Sequence, residues 1–170
     1  MKMKKLKKGE RGFTLVELLI VIAITGLITG AITMTIVQVF NMNTRTSNRM
    51  TAVRQVQQAG FWVSPDVQMA QSVDASGNSS FLTLNWTEYP TGNNHTVVYN
   101  LTDMSAGLKK LQRSHSINDG DPTVILVAEY IDPSGTSCSY TDPALNFTVT
   151  ATVGEESETR LYEVKRRPET

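Results

Sequence analysis

The sequence predicts an α+β protein in which one long N-terminal helix packs on an antiparallel β-sheet. The first part of the 170 residues contains an uncharged apolar run, followed by apolar residues at helical spacing. The later part alternates apolar and polar residues with a period of two, as strands with one buried face do. A turn-rich stretch, residues 74–79, separates the two patterns. The length allows one domain plus a membrane helix.

Residues 13–42 predict a membrane-spanning helix. Apart from Glu17, no charged side chain lies between Arg11 and Arg45, and about 20 apolar residues in a helix cross a bilayer. A charged carboxylate inside hydrocarbon costs at least about 2.5 kcal/mol, so we expect Glu17 to have a partner. A free amine made by cutting the chain just before Phe13 would be such a partner.

Residues 1–12 form a basic leader that holds six of the sixteen basic side chains but one of the sixteen acidic ones. The positive-inside rule therefore places the leader in the cytoplasm. The rest of the chain is acidic, which argues against nucleic acid as a partner, because the phosphate backbone needs a basic patch. An ordinary secretory signal is a competing interpretation, but its apolar region is usually about 7–15 residues long. An uncleaved single-pass anchor is the other.

Residues 12–17, Gly-Phe-Thr-Leu-Val-Glu, resemble the processing site of type IV prepilins and pseudopilins when taken with the basic leader and the apolar run. The resemblance implies that a prepilin peptidase/methyltransferase cuts after Gly12 and N-methylates Phe13, and that Glu17 guides assembly. It also implies a pilin-like fold. The implied partners are other pilin or pseudopilin subunits, an inner-membrane assembly platform and membrane lipid. The C-terminal domain would be extracytoplasmic, and the assembled filament periplasmic or extracellular.

Gly26 and Gly30 form a G-x-x-x-G motif inside the apolar run. Small residues at this spacing let membrane helices approach each other closely. The motif therefore predicts helix packing between neighbouring subunits. Glycine is also frequent in membrane helices in general, which explains the motif equally well.

Residues 43–73 predict an amphipathic continuation of the helix. Pro65 predicts a kink; alternatively, Ser64 caps a helix that restarts there. Part of this stretch resembles PilW-like minor pilins and PulJ-like pseudopilins, which favours a minor subunit. Apolar residues at steps of three and four predict one stripe that packs on a sheet: Met50, Val53, Val56, Gly60, Val63, Val67 and Ala70.

Residues 74–170 predict an antiparallel sheet of five or six strands, with one face on the helix stripe and a polar opposite face. The alternation is clearest where Leu145, Phe147 and Val149 are separated by polar residues. Gly, Asn, Asp and Pro clusters separate the segments at distances typical of hairpins. The predicted strands lie near residues 82–86, 97–101, 108–112, 123–130, 145–153 and 160–166.

No catalytic group, cofactor site or metal site is predicted, so we interpret the chain as non-enzymatic. His95 and His115 lie in or beside predicted loops, without the clustered ligands of a structural metal site, and we interpret them as surface residues. Residues 119–121, Asp-Gly-Asp, predict a turn, with calcium binding as the alternative. Cys138 is the one cysteine, so no intramolecular disulfide forms. It is interpreted as unpaired, with an intermolecular bridge or lipid attachment as alternatives.

These features support two classes of function. The first is a structural subunit, more consistent with a minor one, of a type IV pilus or a type II secretion-like pseudopilus. The second is an uncleaved, membrane-anchored extracytoplasmic module that binds or senses a ligand. Cleavage before Phe13 separates the two, because the first alone requires it.

Overall fold

The computed structural model describes residues 12–77 and 80–166. Predictions for the leader before Gly12, for residues 78–79 and for residues 167–170 lie outside these described residues. The chain divides into two compact units, one that ends at Asn43 and one that begins at Thr44. A single helix, α1 (Leu15–Met69), begins in the first unit and ends in the second.

The first unit contains the apolar beginning of α1, and every described side chain in it is exposed. An 18-residue window of the helix has a mean hydropathy of 2.4, and none of the window is buried. Four threonine hydroxyls donate to the carbonyl four residues earlier, which pairs these polar groups within the helix: Thr25, Thr29, Thr33 and Thr35. By length and composition this segment can cross a membrane, and it supports the predicted anchor.

In the second unit, α1 continues through Ser64 and Pro65 without a break. The alternative prediction of a helix that restarts at Ser64 is therefore wrong. Proline removes one backbone hydrogen bond, but Val63 and Val67 on either side of it are fully buried. Packing on the sheet thus holds the last turns in helical geometry. The kink predicted at Pro65 stays a prediction.

The predicted stripe of α1 is buried from Val56 onward but differs at its start. Met50 is 54% exposed and does not belong to the core, so that part of the prediction is wrong. The stripe instead begins at Ala52 and includes Ala59, and both are fully buried. Val53, also part of the predicted stripe, is only half-buried. The small side chains of Ala52 and Ala59 let the helix lie close to the sheet.

The second unit holds an antiparallel sheet of eight strands, which confirms the α+β class but exceeds the predicted five or six. The six predicted strands are all present. The unpredicted β1 has three residues, too few to show a period of two, whereas the unpredicted β6, Ser-Cys-Ser-Tyr-Thr, does alternate polar and apolar residues and was missed. A short 3-10 turn (Ser105–Gly107) precedes β4. The strands are β1 (Ser72–Asp74), β2 (Leu82–Glu88), β3 (Asn93–Asp103), β4 (Lys109–Ile117), β5 (Thr123–Ile131), β6 (Ser137–Thr141), β7 (Ala144–Val153) and β8 (Glu156–Lys165).

The strand order is β1-β2-β3-β4-β5-β7-β6, and β8 pairs with β7. β7 pairs with β8 along its whole length but with β5 through one residue pair, Ile131 with Ala151. The sheet therefore consists of a meander, β1 to β5, and a smaller group, β6 to β8, joined at a narrow seam. α1 contacts both parts, as the side chains described below show.

The core lies between α1 and one face of the sheet. Its largest fully buried side chains include Tyr99, Phe147 and Leu111. On the opposite face, polar side chains hydrogen-bond across neighbouring strands, as Thr96 does with Asn85 at 2.9 Å. One face is thus apolar and covered by the helix, as predicted, and the β2–β3 part of the other is polar.

Candidate functional site

The predicted cleavage site lies in exposed, non-helical backbone just before α1. Gly12, Phe13 and Thr14 have no helical assignment, and Phe13 is 81% exposed. Exposed chain ends with irregular backbone are the segments that peptidases reach most readily. The geometry therefore suits cutting after Gly12, although processing and methylation themselves stay predictions.

Glu17 forms a reciprocal cap with Thr14 at the start of the helix. The Thr14 N–H and hydroxyl donate to Glu17 Oε2 at 3.0 and 2.9 Å, and the Glu17 N–H donates to Thr14 Oγ1 at 3.3 Å. This is a capping box, in which two residues three apart pair the free donors of a helix N-terminus. Sequence reasoning expected an amine partner for Glu17 and missed Thr14, although the Thr-x-x-Glu spacing signals it.

Gly26 and Gly30 lie on an exposed groove of α1 together with Thr25, Thr29 and Thr33. A Cβ built on either glycine meets no atom within 4 Å. The chain's own fold therefore gives no reason for glycine at these positions. The prediction that they pack against another helix remains open and is compatible with this surface.

Asp66, near the end of α1, fastens the helix to the meander. Its carboxylate accepts the Tyr99 hydroxyl at 2.5 Å and two Arg113 donors, Nε at 2.7 Å and Nη2 at 3.0 Å. The Asp66 side chain is 5% exposed and that of Arg113 12%. The Arg113 guanidinium also lies 5.4 Å from the ring centroid of Trp62, within range of a cation–π contact. We call these four residues the Asp66 anchor.

Charge and hydrogen bonding in the Asp66 anchor support one another. Burial raises the pKa of Tyr99, and the Asp66 carboxylate raises it further, so the hydroxyl stays protonated and donates. The hydrogen bond to Asp66 raises the pKa of Arg113, which keeps the guanidinium charged. A buried carboxylate is tolerated when its oxygens are paired in this way.

α1 also packs on the smaller strand group, through the contact of Gly60 with Tyr162. A Cβ on Gly60 would lie 2.1 Å from the Tyr162 ring, so only glycine lets this ring sit against the helix. The Tyr162 hydroxyl donates to the carbonyl of Val56 at 3.0 Å. The predicted stripe contained Gly60, but its role as a seat for an aromatic ring from β8 depends on packing between distant segments.

The structure contradicts the interpretation of both histidines as surface loop residues. His95 lies on β3 and His115 on β4, and their ring centroids are 5.2 Å apart with an angle of 19° between the ring planes. The ring of Trp86 is parallel to that of His95 at 5.1 Å. Residues twenty apart in sequence meet here because β3 and β4 pair as a hairpin, a register that local pattern does not reveal.

Neither remaining candidate belongs to a larger cluster. Cys138 is unpaired and half-buried on β6, and burial raises its pKa to about 12, which disfavours the reactive thiolate. Asp119 lies in a turn, as predicted. Within residues 12–77 and 80–166, no group of three or more His, Cys, Asp and Glu side chains is placed to hold a metal ion.

Comparison with known proteins adds one finding, at the N-terminal end. A family model described as the prokaryotic N-terminal methylation motif matches residues 7–33, which include the Gly12–Phe13 bond, Glu17 and both glycines of the G-x-x-x-G motif. No match was found among curated proteins or among solved structures. The matched segment supports the type IV pilin-like family and indicates a precursor similar to type IV pilins and pseudopilins.

Proposed function

We propose that this chain is a minor structural subunit of a type IV pilus or a type II secretion-like pseudopilus. In this proposal a prepilin peptidase cuts after Gly12 and methylates Phe13, and α1 then assembles with the helices of other subunits. The observation that carries the proposal is the position of the methylation motif, on a helix whose first part exposes all its apolar side chains.

The apolar side chains in the first part of α1 are exposed and must be shielded from water by lipid or by another protein. Large apolar side chains, among them Leu19, Ile22 and Phe40, are more than half exposed there, whereas soluble monomers rarely expose apolar patches of more than a few hundred Å². Lipid would cover this surface before assembly, and the helices of neighbouring subunits would cover it afterwards. The proposed subunit therefore exchanges one apolar surrounding for another.

Glu17 fits both surroundings. In lipid, the capping box with Thr14 lowers the cost of the carboxylate, since both side chains are hydrogen-bonded to each other. In the filament, the carboxylate would pair with the methylated amine of Phe13 in an adjacent subunit. Charge pairing in low dielectric is strong, so this contact would fix the axial position of one helix against the next.

Three features support a minor rather than a major subunit. Residues 55–70 resemble the corresponding helix of PilW-like and PulJ-like proteins, and the sheet has eight strands. The chain has a single cysteine, so it lacks the disulfide-closed loop that many pilins carry. We propose that its role is structural rather than catalytic.

The mass of the N-terminal peptide, measured on membrane-extracted protein from the native host, tests the proposal. We expect the chain to begin at N-methyl-Phe13. A Gly12→Val variant is the control, because blocked cleavage should leave its mass at that of a chain beginning at Met1. An intact Met1 terminus in the unaltered protein would overturn the proposal and favour the uncleaved, membrane-anchored binding module.

A further inference from the structure

His95 and His115 form a close, well-defined pair on the helix-facing side of the sheet. His95 Nδ1 lies 3.0 Å from His115 Nε2, a hydrogen-bond distance. Only one hydrogen fits between two ring nitrogens at this separation, so one of them presents a lone pair to the other. His115 pairs with Val97, two residues from His95, so the two imidazoles are diagonal neighbours across β3 and β4.

The other nitrogen of His95 indicates which tautomer this ring prefers. His95 Nε2 is buried and has no hydrogen-bond partner among the described residues, and the nearest charged group is Glu88 Oε2 at 3.7 Å. A carboxylate at that position favours a hydrogen on Nε2. The Nδ1 lone pair of His95 then accepts the Nε2–H of His115, and a metal ion could take the place of this hydrogen once His115 carries its own hydrogen on Nδ1.

We propose that His95 Nδ1 and His115 Nε2 bind one divalent transition-metal ion, of the zinc or copper class, with Glu88 orienting His95. Imidazole nitrogen is a ligand that these ions prefer. Two nitrogens bound to one tetrahedral ion at 2.0–2.1 Å lie about 3.3–3.4 Å apart. The observed 3.0 Å is therefore short of a ligand pair by about 0.3–0.4 Å, a change that small rotations of two rings supply.

Glu88 occupies the position that an orienting carboxylate takes at many metal sites. A metal-binding histidine usually donates its second N–H to a carboxylate, which fixes its tautomer and raises its basicity. Glu88 Oε2 accepts the Thr91 hydroxyl at 2.8 Å and lies 3.7 Å from His95 Nε2, a distance that a small movement of the half-exposed Glu88 closes to a hydrogen bond.

Arg113 lies two residues before His115 on β4, and its positive charge opposes a bound metal cation. The bidentate pairing of Arg113 with Asp66 offsets part of that repulsion.

Copper binding to the untagged full-length protein in detergent micelles tests the proposal. These are the only two histidines of the chain, so an imidazole signal can come from nowhere else. On adding CuCl₂ we expect one bound Cu²⁺ whose electron paramagnetic resonance spectrum shows splitting by two imidazole nitrogens. Tryptophan fluorescence should fall at the same equivalence point, because Trp86 stacks on His95. Zn²⁺ should compete with Cu²⁺ for the site.

Variants separate this site from binding elsewhere. His95→Gln and His115→Gln should each remove the two-nitrogen signal, and Glu88→Gln should weaken binding about 10–100-fold. Cys138→Ser is the matched control and should bind as the unaltered protein does. A spectrum of the unaltered protein without two imidazole nitrogens would overturn the proposal, as would an unchanged titration in the double histidine variant. Either result would leave a pair that shares a proton.

Discussion

The two ends of α1 each carry one acidic residue, and the two acids have opposite surroundings. Glu17 is exposed and bonds to Thr14 within its own first turn. Asp66 is buried and bonds to Tyr99 and Arg113 on two strands. The Glu17 carboxylate bonds only within its own helical turn among the contacts described, whereas the Asp66 carboxylate holds the helix on the sheet. One continuous helix thus contains a first part whose side chains are exposed and a last part that packs on its own sheet.

The glycines repeat this contrast. Gly26 and Gly30 face open space, whereas the space beside Gly60 is filled by the Tyr162 ring. Where no described atom lies near a glycine, two explanations are left. Either the glycine contacts another molecule, or it is present because glycine is frequent in membrane helices. A glycine under an aromatic ring is a requirement of the fold. Substitutions at the two ends of α1 should therefore separate stability from assembly.

Asp66→Ala should have the largest effect on stability. It leaves the Arg113 charge and the Tyr99 hydroxyl buried without their acceptor, and breaking one partner of a buried ion pair costs about 3–5 kcal/mol. Urea unfolding of the detergent-solubilised chain, followed by far-UV circular dichroism, measures the loss. A change below about 1 kcal/mol would mean that water reaches the Asp66 anchor and that its burial does not govern its energy.

Gly60→Ala should lower the free energy of unfolding by about 1–3 kcal/mol, the usual cost of overpacking a core. The new methyl group would displace the Tyr162 ring and break its hydrogen bond to Val56. Alanine is intrinsically the better helix former by about 1 kcal/mol, so a stabilised variant would show that the ring moves away without cost. The same unfolding experiment distinguishes the two.

Tyr162→Phe should cost about 1 kcal/mol, the usual net value of one hydrogen bond. The ring stays in place over Gly60, so only the contact between its hydroxyl and the Val56 carbonyl is lost. The Tyr162→Phe and Gly60→Ala effects should not add, because both act on one contact. An additive double variant would contradict the shared contact.

Gly26→Ala and Gly30→Ala should leave the unfolding transition of the sheet domain unchanged, since a Cβ at either position meets no described atom within 4 Å. If the G-x-x-x-G motif packs helices together, the same variants should reduce recovery of the protein in sheared filament fractions. Ala23→Gly, in the same apolar run, is the control for altered helix propensity. Normal recovery of both glycine variants would favour the explanation by composition.

Glu17→Ala should have the smallest effect on stability and a complete effect on assembly. It removes the capping box, whose bonds join Glu17 to Thr14 within the first unit, so unfolding of the sheet domain should not change. Membrane insertion and cleavage should proceed, while incorporation into filaments should fail because the amine of Phe13 loses its partner. Immunoblots of membrane and filament fractions follow both steps, and normal incorporation would remove the pairing argument.

Local pattern predicted the parts of this fold that are local. The apolar run, the helix stripe and six strands each repeat over enough residues to show their period. The burial of Asp66 could have been predicted from the sequence, because Asp66 lies three residues after Val63 on the same stripe. A charged residue on a buried stripe indicates a buried ion pair. Its partners, Tyr99 and Arg113, could not be named, since they meet through the register of β3 with β4.

The contact between His95 and His115 could not be predicted from the sequence for the same reason. His95 and His115 lack a spacing motif because their proximity arises from strand pairing rather than from helix or loop geometry. Metal sites built on one helix or one loop leave a spacing signature, whereas sites built across strands leave none. The methylation motif lies at the other extreme, since its residues are close together in the sequence, within 7–33.

The seam between β5 and β7 has a mechanical consequence. The meander and the smaller strand group are paired through one residue pair, Ile131 with Ala151. α1 bonds to the meander through Asp66 and to the smaller strand group through Tyr162. Regions held by few buried contacts and few backbone hydrogen bonds open at a lower free energy than the rest of a structure. Under a pulling force, we expect β5 and β7 to separate first. The contacts of α1 with both strand groups should keep them together until the hydrogen bonds of the Asp66 anchor break.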